Sequence, residues 1–233
     1  MISSSFISIA SHELKTPITG LKLQAEMAKR MIEKLGPEAL TPDRVKKIID
    51  NFYNDVDRLK RLVDDILDIS RINTGKLSMK FETLNVDEFM TEVIERMSFN
   101  FPKFNQLVNV NMSTPVLAQW DPLRIEQVVT NLIANALRYG NNSEINLMTY
   151  IDGGQINISV TDNGPGISET NQKKIFERFE CDLDNKTSSG LGLGLYIANE
   201  IIKSHGGQFE LRSTLGQGAT FTVRLPPCQK KLN

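Results

Sequence analysis

The first third of this chain carries an apolar stripe at helical spacing, and that stripe limits what the chain can fold into. From residue 6 to 35 the stripe runs through Phe6, Ile9, Leu14, Ile18, Leu21, Ala25, Ala28, Ile32 and Leu35. Most steps are three or four residues, the repeat of one helix face. Gly36-Pro37 and Thr41-Pro42-Asp43 interrupt it, and a second stripe follows over 44–72, from Val45 and Ile48 through Phe52, Leu59 and Leu62 to Ile69. Two long amphipathic helices joined by a short turn form a hairpin whose apolar face it cannot bury by itself. The expected solution is dimerisation into a four-helix bundle. Asn73-Thr74-Gly75-Lys76 reads as a linker.

Past the linker the texture changes. Residues 77–84 read as a strand, 86–97 as a helix, and 108–112 and 116–119 as two more strands. A strong helix over 123–139 is entered through Asp121-Pro122, a capping carboxylate followed by proline at the first helical position. Residues 145–150 and 155–161 alternate as strands around Asp152-Gly153-Gly154, and a helix over 194–205 stops at Gly206-Gly207. Strands over 208–213 and 219–225 close the chain. The expected fold class is α plus α/β. A helical hairpin domain over 1–75 precedes a domain over 76–233, an α/β sandwich with helices on one face of a mixed sheet.

Composition excludes several functions. A net charge of -1 gives no case for nucleic acid or for an anionic membrane surface as partner. Two cysteines, Cys181 and Cys228, lie far apart, which argues against a disulfide scaffold or a zinc site and fits a reducing, cytoplasmic compartment. No apolar run approaches the ~20 residues of a membrane span, so no membrane contact is expected of this segment. The chain opens with a helical pattern already under way. It reads as the catalytic portion of a longer protein whose N-terminal sensing region, with any membrane anchor, is absent.

Two strings carry chemistry. In Ser11-His12-Glu13-Leu14-Lys15-Thr16-Pro17 a histidine stands beside a carboxylate on a helix. An imidazole titrating near pH ~6.5 is substantially neutral at physiological pH and can attack phosphorus. Glu13, about 100° round the helix, can accept from the ring and stabilise a developing imidazolium. Thr16 lies one turn on along the same face, and Pro17 is expected to bend the helix just beyond. The second string, Ser189-Gly190-Leu191-Gly192-Leu193-Gly194-Leu195, is a glycine-rich loop opening a helix, suited to cradling phosphate with backbone N–H groups.

Between them lie two further candidates. Asn131, Asn135 and Arg138 share one face of the 123–139 helix, with Tyr139 next to them. An asparagine carbonyl suits magnesium, which takes few protein ligands; a buried asparagine capping a neighbour has the same pattern. Asp162-Asn163-Gly164-Pro165-Gly166-Ile167 follows a strand, where a carboxylate can accept from an exocyclic amine and glycines let the backbone approach a ring. His205, before Gly206-Gly207, reads as a structural helix end.

Taken in order, these strings resemble the sensor histidine kinases of two-component signalling, over nearly the whole length. The resemblance implies a dimerisation and phosphoacceptor hairpin followed by a Bergerat-type ATP-binding domain. It implies ATP as donor, Mg²⁺ as cofactor, a homodimer, and a response regulator receiver domain as partner. By the same match His12 is the phosphoacceptor, Glu13 the assisting base, and Thr16 a residue supporting dephosphorylation of the regulator. Asn131 belongs to the asparagine box, with Asn135 as magnesium ligand, Arg138 as phosphate contact and Tyr139 as adenine neighbour. Asp162, Gly164, Gly166 and Ile167 match the adenine site, and Gly190, Leu191, Gly192, Leu193 and Gly194 the triphosphate loop.

Ile175-Phe176-Glu177-Arg178-Phe179 resembles the phenylalanine box, which packs a lid over the nucleotide. Related kinases often carry an arginine two residues later, where this chain has Cys181. Either Arg178 or Lys186 supplies the missing charge, or the lid contributes less. An alternative, the ATP-hydrolysing enzymes of gyrase and MutL type, resembles this chain in nucleotide fold. Those enzymes carry a glutamate where this chain has Asn131, and without it water lacks its general base. A catalytically inactive dimeric scaffold would have lost ligands that are all present here.

Overall fold

The computed structural model describes residues 4–101, 104–179 and 191–228. They form two compact units, the first made of the described residues up to Gly75 together with Leu191, the second of those from Lys76 to 179 together with 192–228.

The first unit is a pair of helices. α1 (Ser4–Leu35) is followed by a 3₁₀ turn (Pro37–Ala39) and by α2 (Pro42–Asn73), with Pro42 at the first helical position of α2. Pro17 is buried and removes the N–H that would have reached the carbonyl of Glu13, yet α1 is one continuous helix through it. α1 packs along α2, and Gln24 donates to Asp55 across the pair at 3.2 Å. Much of the apolar stripe faces outward: Ile9, Ile18, Ile32, Leu35 and Val45 are all exposed.

The second unit layers helices on a sheet. In order come β1 (Glu82–Asn85), α3 (Val86–Asn100), α4 (Phe104–Leu107), β2 (Val108–Met112), β3 (Leu117–Trp120) and α5 (Pro122–Tyr139). Then follow β4 (Ile145–Asp152), β5 (Gln155–Asp162), α6 (Glu169–Gln172), α7 (Gly194–Ser204), β6 (Gln208–Ser213) and β7 (Ala219–Leu225). Five strands order as β2-β4-β5-β7-β6, with β2 parallel to β4 and the others antiparallel, so the sheet is mixed as expected. Ile156, Ile158 and Val160 of β5 alternate with Asn157 and Ser159. One face is therefore apolar and meets α5 and α7, while the other is polar.

The strand expected over 77–84 is shorter. Pairing runs only over Glu82–Asn85, against Leu117–Trp120. The reason is a side chain distant in sequence: the N–H of Lys80 donates to the Asp121 carboxylate at 2.8 Å, so that donor is spent on a side chain and not on a ladder. The other carboxylate oxygen caps α5 by accepting from the N–H of Arg124 at 3.1 Å. His205 ties the far end of α7 to the same place. Its Nε2 accepts from the N–H of Asp121 at 3.0 Å, so Nδ1 carries the proton and donates to the Ile201 carbonyl at 2.8 Å. Burial lowers the pKa of His205 below the ordinary imidazole value, against the smaller opposing effects of Ile201 and Asp121. Among the described residues no helix is long and apolar enough to cross a membrane.

Candidate active site

The described residues present two candidate centres, one in each unit. On α1 the His12 side chain is 81% exposed, and its Nδ1 lies 3.7 Å from Glu13 Oε1. That separation is beyond hydrogen-bond range, so the bond expected between glutamate and ring is not formed in this conformation. The cause is a competitor that the sequence reading missed. Arg58, on α2, donates to Glu13 Oε2 at 3.0 Å in a half-buried ion pair. A charge-assisted bond of this kind outcompetes a neutral imidazole for the carboxylate's orientation. Thr16 donates its hydroxyl to the His12 carbonyl at 3.2 Å, which leaves the oxygen's lone pairs facing outward. Elsewhere on α2, burial pushes the Asp65 carboxyl up to about 7, reinforced by the nearby Asp68 and Asp64 and opposed by Arg61.

In the second unit α5 carries the exposed Arg138 and the half-buried Asn131, Asn135 and Tyr139 away from its buried Val129, Leu132, Ile133 and Ala136. Asn131 and Asn135 are half-buried and one turn apart. Asn131 packs against the start of α7: a Cβ added at Gly194 would lie 2.6 Å from Asn131 Oδ1. Glycine at 194 is therefore what lets the two helices approach there. Arg138 lies 6.0 Å from the Tyr139 ring centroid. The loop after β5 closes on the other end of α5, since a Cβ at Gly164 would lie 2.6 Å from the Tyr139 carbonyl oxygen. The structure thus brings the asparagine helix, the Asp162 loop and the start of α7 together.

Asp162 is buried at the end of β5 and accepts from the N–H of Gly164 at 2.8 Å. Burial raises its pKa above the ordinary carboxylate value, with the backbone donors of Gly164 and Ala219 partly offsetting this. Ile167 donates its N–H to Ser213 Oγ at 2.8 Å, and the hydroxyl of Ser213 in turn donates to the Gly218 carbonyl at 2.7 Å. Gly218 has φ 82 and faces the Asp162 backbone so closely that no side chain fits. Ser213 and Gly218 are thus supports of the loop that the sequence reading treated only as hairpin. The Gly216-Gln217-Gly218 spacing was the available signal.

At the start of α7, Leu191 and Leu193 are buried and Gly192 takes a left-handed φ of 63. Leu193, at the N-cap of α7, offers no side-chain cap, so it leaves the helix's first N–H groups to other partners. Gly190, Lys186 and Cys181 lie outside the described residues. Arg178, offered above as one source of lid charge, is engaged instead with Tyr196. It donates to the hydroxyl at 2.6 Å with its guanidinium carbon 4.7 Å from the ring centroid.

Comparison with known proteins places both units. Residues 3–75 match the His Kinase A (phospho-acceptor) domain, and residues 120–229 match the histidine kinase-, DNA gyrase B-, and HSP90-like ATPase family. The alginate biosynthesis sensor protein KinB of Pseudomonas aeruginosa is 34% identical over 231 residues, covering 97% of this chain and 37% of KinB. The structure of histidine kinase ThkA in complex with response regulator protein TrrA matches with a TM-score of 0.66 at 25% identity. It covers 97% of this chain and 62% of that one. Full-length ShkA in complex with AMPPNP matches with a TM-score of 0.64 at 26% identity, covering 91% of this chain and 46% of that one. The chain spans between 29% and 56% of the length of the first curated relatives it matches. With a phosphoacceptor domain and an ATPase-fold domain in that order, the chain belongs to the sensor histidine kinases and comprises their catalytic core.

Proposed function

We propose that this chain phosphorylates itself on His12 from ATP and passes the phosphoryl group to an aspartate of a response regulator receiver domain. The observation that carries the reading is the solvent-facing imidazole of His12, beside Glu13, on a phosphoacceptor hairpin. A neutral ring nitrogen attacks the γ-phosphorus, the bond to the bridging β-phosphate oxygen breaks, and ADP leaves. The ring proton passes to a base, for which Glu13 is placed once its side chain swings from Arg58. Asn135 offers a neutral, half-buried oxygen, a fit for a hard cation that keeps most of its own water. Mg²⁺ held there would shield the charge between the β- and γ-phosphates. Asp162 would accept from the adenine amine, and the uncapped start of α7 would face the phosphates.

The exposed apolar side chains of α1 and α2 support a homodimer, in which two hairpins bury each other. The complex of the relative ThkA with a response regulator supports the receiver domain as partner, and that of ShkA with AMPPNP supports ATP as donor. Incubation with γ-labelled ATP and magnesium tests the reading directly. Label that is acid-labile, alkali-stable and located on His12 is expected. A folded protein that binds ATP yet gains no such label overturns it.

Two variants probe individual assignments. Asp162→Asn keeps an acceptor for Gly164 but adds an amide donor that suits a guanine carbonyl. The preference for ATP over GTP is expected to drop by about tenfold, the value of one hydrogen bond of ~1.4 kcal/mol. Because burial raises the Asp162 pKa, its contribution to stability is present below the unfolded carboxylate value of 3.8 and is lost as pH rises through the folded value. The melting temperature of Asp162→Asn relative to the parent should therefore rise with pH across that window. Unchanged nucleotide preference would remove Asp162 from adenine recognition.

Thr16→Ala is expected to keep most self-phosphorylation and to slow regulator dephosphorylation by about tenfold, the loss of one oriented hydrogen bond to water. If the hydroxyl served only to brace α1 at His12, both rates would fall together with the melting temperature. Measuring both rates and melting on the same sample separates the two roles.

A further inference from the structure

We infer that Arg178 and Tyr196 form a clamp that positions the phosphate-facing start of α7, so that Arg178 acts through Tyr196 and not on the nucleotide. The inference rests on the ATP site proposed above and assigns that site two positioning residues.

The segment before residue 180 is fixed from behind. Phe176 packs its ring 5.0 Å from that of Phe209 on β6, which meets Phe221 on β7 at 6.2 Å. Two residues further on, Arg178 reaches the first turn of α7, donating to the Tyr196 hydroxyl at 2.6 Å and lying over its ring at 4.7 Å. A planar guanidinium that both stacks and donates uses its fork geometry in a way that an ammonium cannot. The next residue makes a second, backbone tie, in which the N–H of Phe179 donates to the Gly192 carbonyl at 3.2 Å. Phe179 does so at φ 68, a left-handed conformation that a bulky residue rarely takes. Such a conformation persists only where neighbouring contacts hold it in place. Side chain and backbone thus grip the same short stretch, Gly192 to Tyr196. That stretch contains Gly194, whose close approach to Asn131 sets α7 against α5. Loosening the clamp releases the start of α7 and disturbs the phosphate end of the site without removing any ligand.

The test compares conservative variants. In the clamp, Arg178→Lys keeps the charge and loses the stacked fork, and Tyr196→Phe keeps the ring and loses the acceptor. Each should raise KM for ATP by about three- to tenfold with kcat for self-phosphorylation changed less than about twofold, the pattern of lost ground-state positioning. The double variant should be no worse than the poorer single one, because both remove one shared interaction. Amide exchange at Phe179 should accelerate in all three, a readout that needs no nucleotide. Should the parent chain take no label from ATP, the functional reading fails while exchange at Phe179 still tests the clamp. Full activity and parental exchange in Arg178→Lys and Tyr196→Phe, with only Arg178→Ala impaired, would make Arg178 a direct phosphate contact and overturn the inference.

Discussion

His12→Gln is expected to abolish self-phosphorylation, by at least ~1000-fold, while nucleotide affinity changes by less than about twofold. The expectation follows from the division of labour in the chain. The imidazole is the only nucleophile of its kind on the hairpin, since the other histidine of the chain, His205, belongs to the second unit. Glutamine keeps the size and polarity of the side chain but has no basic nitrogen to attack phosphorus. The His12 side chain is 81% exposed, so replacing it removes little packing. A fluorescent adenine nucleotide titration alongside the labelling assay reads both quantities. Loss of both activities together, with an unchanged melting curve, would place His12 in nucleotide binding and defeat the assignment.

Asn135→Ala is expected to weaken magnesium-dependent nucleotide binding by at least ~100-fold and to halt transfer, the scale set when a charge-neutralising contact is removed at a phosphoryl group. The helix offers no replacement oxygen at that position. Asn131, a turn earlier, is packed on Gly194, and Arg138, nearly a turn later, carries positive charge. Truncation of a half-buried asparagine on the outward side of α5 leaves the apolar face of the helix untouched, so melting should be close to parental. Titrating the nucleotide with and without magnesium separates a metal ligand from a simple base contact. An Asn135→Ala protein whose affinity still responds to magnesium as the parent's does would rule the ligand role out.

Much of this architecture was legible because its signals are local. The two hairpin helices follow from apolar spacing, and α5 from Asp121-Pro122, since cap and helix lie within one short window. The asparagine helix, the Asp162 loop and the glycine turn could be named separately, each from its own string. What the chain order does not encode is which oxygen or guanidinium meets which. Arg58 meets Glu13 across 45 positions, and Arg178 meets Tyr196 across 18, with no periodicity to mark either pair. The overlong strand before Glu82 failed for the same reason. The residue that takes the Lys80 N–H is Asp121, 41 positions on, already identified as a cap but not as a second acceptor.

The lock on His205 has a practical consequence for chemical labelling. Both of its ring nitrogens are committed within a fully buried site, and its pKa is held low. The chain has two histidines. The other ring, that of His12, is 81% exposed and open to reagents in solution. Chemical acylation of imidazole in the folded state is therefore expected to mark one residue. The exposed ring can take a site-specific label in the unaltered protein because the core shields the other histidine.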